Sequence, residues 1–212
     1  MNVAIIGLGN IGSAVAKNLT AGGQKVIVSD KTAAKADRLA SELGANAEAM
    51  PVADAIGKAD VVILAIYFDA IKQFIADYRG ALVGKIVVDP SNPIAPDGKG
   101  GFKKTIPAEQ SSGQIIAALL PNGAKFVKAF GTLGAQSLAS SANRSPERAA
   151  LFYATDDPAA GQALATIIAA SGFAPVSVGG VNKSLRIEVG GDLHEFGKLG
   201  RLVSAKEAES LV

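Results

Sequence analysis

Apolar residues recur along this chain in two rhythms. Short apolar runs fall at 3–6, 25–29, 47–50, 61–65, 85–88, 126–130, 150–154 and 175–178. Runs of four or five, bounded by glycine or polar residues, predict strands. Between them, apolar positions three and four apart predict helices over 10–21, 32–43, 52–57, 68–78, 115–120 and 158–171. Strand alternating with helix predicts an α/β fold with a doubly wound, mostly parallel sheet. The run V-V-I-L-A at 61–65, apolar throughout, suits a strand covered on both faces. A short tail follows the last strand, helical around 183–188 and 204–211 and broken at Gly190 and Gly191. The expected division is a domain over 1–180 and a helical tail over 181–212 that packs on it or on a partner subunit.

Two segments break the rhythm. Residues 89–110 hold Pro90, Pro93, Pro96 and Pro107 with Gly98, Gly100 and Gly101, so no regular element is expected there but a functional loop or lid. Phe102 would be its shielding residue, and Lys99, Lys103 and Lys104 could grip an anionic substrate tail. Residues 140–147 are polar and expected to be exposed. Ser111 to Gln114 resembles a capping box ahead of the 115–120 helix.

The opening segment carries the chemistry. The first strand runs straight into Gly7-Leu8-Gly9-Asn10-Ile11-Gly12 and then a helix. G-x-G-x-x-G between a strand and a helix is the dinucleotide-binding turn of a Rossmann-like fold. The first glycine allows the tight turn, the second lets a pyrophosphate approach the backbone, and the third lets helix and strand pack closely. The helix start offers free N–H groups and a positive dipole end to the phosphates. At the end of the second strand stand Ser29, Asp30, Lys31 and Thr32, with Lys35 a turn later. An acidic residue there normally accepts from the ribose hydroxyls of NAD. The two lysines would instead neutralise a 2′-phosphate, so Asp30 favours NAD and Lys31 and Lys35 favour NADP.

Composition removes other classes. A net charge of +2 gives no case for nucleic acid. With no cysteine there is no thiolate chemistry and no cysteine metal site. No apolar run reaches a membrane span. A first strand that begins at residue 3 leaves no room for a leader, so the cytoplasm is the expected location. The one histidine, His194, lies in G-G-D-L-H-E-F-G, whose D-x-H-E spacing lacks the separated ligand pairs of zinc motifs, so no metal is expected.

Several segments together resemble the coenzyme F420-dependent NADP oxidoreductases, relatives of the cytoplasmic domain of six-transmembrane metalloreductases. They are G-L-G-N-I-G at 7–12, V-V-I-L-A-I at 61–66, K-I-V-V-D-P-S-N-P at 85–93, E-Q-S-S-G-Q-I-I-A-A-L-L-P at 109–121, V-K-A-F-G-T-L at 127–133 and A-K-E at 205–207. The resemblance implies hydride transfer between NADPH and a flavin-like ring. It places the pyrophosphate on Gly7 to Gly12 and the 2′-phosphate by Ser29, Asp30 and Lys31. It sets Ile66 and Tyr67 beside the nicotinamide ribose, Ala65 in the cofactor site, Asn92 and Pro93 in the cleft, and Ala129 and Thr132 near the nicotinamide face. This chain departs from the family at Asp30-Lys31, where Ser-Arg is usual, at Tyr67, where proline is usual, and at Gly131, where Asn or His is usual.

Hydride transfer between stacked rings needs distance and exclusion of water more than a strong acid or base. Thr132 and His194 are the candidate side chains for any catalytic part. The function expected is an NAD(P)H-dependent oxidoreductase acting on a flavin, a deazaflavin or another small-molecule acceptor, as a homodimer. The alternative is a non-catalytic protein that binds or senses the dinucleotide.

Overall fold

A computed structural model describes residues 1–99 and 101–212; Gly100, in the proline-glycine segment, lies outside the described residues. In chain order the strands are β1 (Val3–Ile6), β2 (Val26–Ser29), β3 (Ala47–Ala49), β4 (Val61–Leu64), β5 (Ile86–Asp89), β6 (Ile94–Pro96), β7 (Phe102–Lys104), β8 (Lys125–Ala129), β9 (Ala150–Ala154) and β10 (Ala174–Ser177). The helices are α1 (Asn10–Ala21), α2 (Ala33–Leu43), α3 (Val52–Lys58), α4 (Phe68–Asp77), α5 (Ser112–Leu119), α6 (Ala135–Ser140), α7 (Pro158–Ala170) and α8 (Ala205–Glu209). Eight strands form one sheet in the order β3-β2-β1-β4-β5-β8-β9-β10. From β3 to β8 every pair is parallel. Then β9 runs antiparallel to β8, and β10 parallel to β9. The sheet is mostly parallel and Rossmann-like.

Strand alternation feeds two cores. Val3 and Ile5 point to one face, with Val15 and Leu19 of α1, Leu138 of α6 and Leu164 of α7. Ala4 and Ile6 point to the other, with Ile56 of α3, Ile71 of α4 and Ile116 of α5. A third cluster joins Phe152 and Val176 of the reversed strands to Ile187, Leu193, Val203 and Ala208, so the tail folds back on the sheet.

The structure departs from the sequence reading in four places. Residues 89–110 are not wholly irregular: β6 and β7 pair as an antiparallel hairpin, whose turn Asp97 ties by accepting from Lys99 N–H and Gly101 N–H. Pro96 is tolerated because a two-stranded ribbon leaves each strand an edge with no ladder partner. Residues 135–140 form α6, six residues, too short to show a period. The first tail stretch is a 3-10 helix, Val181–Ile187. Helix α5 starts three residues before the apolar rhythm, because Ser111 Oγ accepts from Gln114 N–H and caps it there.

Candidate functional site

The carboxyl ends of the parallel strands share one edge of the sheet, where ligands bind in open α/β sheets. At the end of β1 the chain turns through Gly7, whose φ of +90° favours glycine. A Cβ on Gly7 would lie 2.5 Å from Ile66 Cγ2, and one on Gly12 would lie 1.9 Å from the Gly7 carbonyl oxygen. Both glycines are demanded by the chain itself. Gly9 is different. Its backbone is ordinary extended (φ −69°, ψ −165°), and a Cβ there would meet no atom within 4 Å. Neither packing nor conformation asks for glycine at that position, so the space above it fits an incoming group that must reach the main chain. Gly9 is also the N-cap of α1, and no side chain caps that helix or places acid in its first turn. Its first N–H groups and dipole are therefore open to an anion. The residues present fit a dinucleotide pyrophosphate.

At the end of β2, Asp30 braces this loop. Its Oδ2 accepts from Leu8 N–H at 2.8 Å, its Oδ1 from Thr32 N–H at 3.0 Å, and Lys35 Nζ stands 3.5 Å away. Burial alone would raise the Asp30 carboxyl, but these N–H bonds and Lys35 outweigh it and hold it below the ordinary value. Lys31 is exposed beside it. One carboxylate against two lysines leaves the corner one positive charge in excess. Ser29 does not take part: it is buried, and its hydroxyl donates to Met50 O at 2.8 Å.

Past β4 and β5 the edge is built from loops tied to one another. Ala65 and Ile66 are half-buried, and Tyr67 is 88% exposed. After β5, Asn92 Nδ2 donates to Gly131 O at 2.9 Å, and its Oδ1 accepts from Val189 N–H at 2.8 Å. Asn92 thus ties the β5 loop to the β8 loop and to the tail. Gly131 leaves no room for a side chain, since a Cβ would sit 2.5 Å from Pro90 O. Just before it, Phe130 is fully buried at φ 63°, an unfavourable backbone for a large residue held in place by its packing.

The tail closes over that loop. Glu195 N–H donates to Thr132 O, and Glu195 Oε1 accepts from Gly134 N–H at 2.9 Å and from Ser137 Oγ at 3.2 Å, capping α6 from a distant part of the chain. His194 is 1% exposed. Its Nδ1 accepts from Phe196 N–H, so its Nε2 carries the proton and donates to Gly131 O at 2.9 Å. Burial pushes the imidazole down, against the weaker upward pull of the Gly131 bond and Glu195. Below the loops lies a buried ion network that the sequence reading did not anticipate. Lys128 Nζ donates to Asp89 Oδ2, Ser91 O and Ser112 Oγ. Glu188 accepts from Ser111 Oγ, Ser112 N–H and Gly113 N–H at the start of α5. Burial would raise the Glu188 carboxyl, but Lys128 and these donors hold it below its ordinary value.

The candidates therefore divide. Gly9, Asn10, Lys31, Lys35 and Tyr67 are exposed on the edge, and Ile11, Ala65, Ile66 and Asn92 are half-buried there. Leu8, Gly12, Pro93, Ala129 and Thr132 are buried and shape the wall. Two buried hydroxyls of the wall, Ser91 Oγ and Thr132 Oγ1, have no partner. His194 has both ring nitrogens engaged by main chain, so it braces the β8 loop and offers no free nitrogen for acid–base work. Among the described residues no metal-ligand cluster occurs, and no helix is long and apolar enough to cross a membrane.

The glycine turn and the open carboxyl edge define the class, a Rossmann-type dinucleotide-binding fold. The family model described as NADP oxidoreductase, coenzyme F420-dependent, matches residues 2–93. The chain is 32% identical to a hypothetical protein of Sinorhizobium meliloti of known structure, over 96% of this chain and 95% of that one, with a TM-score of 0.84. A protein of Arthrobacter sp. FB24 described as an F420-dependent NADP reductase is 22% identical over 87% of each chain, TM-score 0.74. A reductive aminase of Aspergillus terreus, solved with NADPH and ethyl levulinate, shares the fold at 21% identity and TM-score 0.63; 87% of this chain is covered but only 56% of that one. No curated protein matches. Over residues 2–93 the chain is thus similar to the coenzyme F420-dependent NADP oxidoreductases, the likeness that marks it as an NADP-dependent oxidoreductase.

Proposed function

We propose that this protein exchanges hydride between NADP(H) and a flavin, a deazaflavin or another small acceptor, bound together at the carboxyl edge of the sheet. The observation that carries the reading is Gly9, a glycine that nothing in the chain requires, facing open space at an uncapped helix start. Gly9, Asn10, Ile11 and Gly12 would hold the pyrophosphate by main-chain N–H groups. Lys31 and Lys35 would meet the 2′-phosphate, and Asp30 acts as the staple of the loop. Its charge is offset by Lys35, which is why an acidic residue here is compatible with NADP. Ala65, Ile66, Tyr67 and Asn92 would border the nicotinamide ribose, and Thr132 would stand behind the ring. When bound, the nicotinamide supplies the hydride, and a proton from solvent completes the reduction of an acceptor that needs one. The chain's part is to align two rings and exclude water. We place the protein in the cytoplasm as a homodimer, an assembly that sedimentation would test.

The experiment is a turnover assay in which loss of reduced nicotinamide absorbance is followed with NADPH or NADH and a panel of flavins, deazaflavins and small carbonyl or quinone acceptors. The expected result is turnover with at least one acceptor, faster with NADPH. Tight NADPH binding with no turnover across the panel would contradict it. Lys31→Ala is expected to lower the NADPH-over-NADH preference about tenfold, the worth of one lost charge-assisted contact of ~1.4 kcal/mol. An unchanged ratio would remove Lys31 from the site.

A further inference from the structure

Every exposed aromatic side chain among the described residues lies at the same edge of the molecule. Tyr67 (88% exposed) follows β4, Phe102 (68%) sits in the hairpin that springs from β5, and Phe196 (68%) lies against the loop after β8. Strands β4, β5 and β8 are neighbours in the sheet. Phe196 is the most firmly set of the three. Its N–H donates to His194 Nδ1, the rings of His194 and Phe196 stand 5.5 Å apart, and His194 is locked to Gly131 O. On its other side Glu195 is bonded to Thr132 and Gly134. Gly134 has an ordinary φ of −65°, yet a Cβ there would lie 2.8 Å from Phe196 Cζ and from Glu195 Oε1. The Phe196 ring thus lies against the main chain at 134, where a side chain would push it away, and remains mostly in solvent. A rigidly held, exposed aromatic costs little entropy to stack upon.

Resting on the function proposed above, we propose that Phe196 is the residue of this chain that stacks on the second ring, a planar fused-ring acceptor, and so sets acceptor preference, with His194 as its positioning residue. The occupant follows from continuity with the dinucleotide groove: the tail segment carrying the ring is bonded to Thr132 through the Glu195 N–H, and Asn92 ties the Thr132 loop to the β5 end. The test titrates NADP-loaded protein with riboflavin and with 5-deazariboflavin, reading flavin fluorescence quenching, and measures NADPH affinity separately. Phe196→Ala is expected to weaken riboflavin binding roughly five- to tenfold, as loss of an aromatic stack should, and to leave NADPH affinity within about twofold. Phe196→Trp is expected to restore the quenching. Riboflavin affinity unchanged in Phe196→Ala overturns the proposal. So does wild-type protein that binds NADPH but neither flavin, a result that leaves the dinucleotide reading standing. Wild-type protein that fails to bind NADPH overturns both. Phe196→Ala that dissociates an oligomer without altering flavin affinity makes Phe196 a subunit contact and also overturns it.

Discussion

Three glycines open the chain for different reasons, and their substitutions should part accordingly. Gly12→Ala drives a methyl group to within 1.9 Å of a carbonyl oxygen, so helix and strand must separate. It is expected to destabilise the fold by about 3 kcal/mol or more, the upper range for overpacking, seen as a large drop in midpoint on thermal melting. His194 makes a second residue-scale prediction. Its folded pKa is below the unfolded one, so the unfolded chain binds the extra proton first. The stability is full above the unfolded value of about 6.5 and is lost as pH falls through it toward the folded value. Wild-type melting temperature is expected to fall between about pH 7 and pH 5. His194→Gln, which never charges, is expected to show a shallower slope there; equal slopes would contradict the assignment.

At the scale of elements, the sheet was legible because each strand announces itself by a local apolar run, and the long helices by their period. What stayed hidden depends on distant partners. Helix α6 is capped by Glu195, sixty-one residues away, and the hairpin is held by an aspartate turn between prolines that read as breakers. The glycine loop was readable because its chemistry is consecutive in the chain. The wall made by Asn92, Gly131, His194 and Glu195 was not, because it forms only when the tail returns to the β8 loop. One signal of the buried network was available: Lys128 interrupts an apolar strand, as Asp89 ends another, and the two are register partners in the sheet. Glu188→Gln leaves Lys128 with Asp89 as its one close carboxylate and weakens the charge-assisted bonds from Ser111, Ser112 and Gly113, and is expected to cost about 2 kcal/mol near neutral pH. Because the Glu188 pKa is depressed, its contribution is present above the ordinary carboxylate range and lost as pH falls through the folded value. Chemical denaturation at neutral pH and near pH 3 measures both: the gap between wild type and variant should narrow in acid.

At the scale of the molecule, the six parallel strands β3-β2-β1-β4-β5-β8 repeat the order of a dinucleotide-binding sheet, and β9 and β10 reverse direction and receive the tail. The Aspergillus aminase, of which this chain covers 56%, shares the fold over that part of its length. Here the residues after β10 turn back onto the reversed strands and the β8 loop at the carboxyl edge. Under the proposed function, the positive corner after β2 and the aromatic side chains past β4, β5 and β8 divide that edge into an anion-binding end and a stacking end. The most direct test is Gly9→Asp, followed by NADPH titration and thermal melting. Aspartate is a preferred N-cap, so α1 should hold or gain stability, while its carboxylate occupies and repels at the place meant for a diphosphate. The account predicts a folded protein with an unchanged or higher melting temperature and NADPH affinity reduced by about a hundredfold or more, the scale of a lost cluster of charge-assisted bonds. A folded Gly9→Asp protein that binds NADPH as wild type does would contradict it.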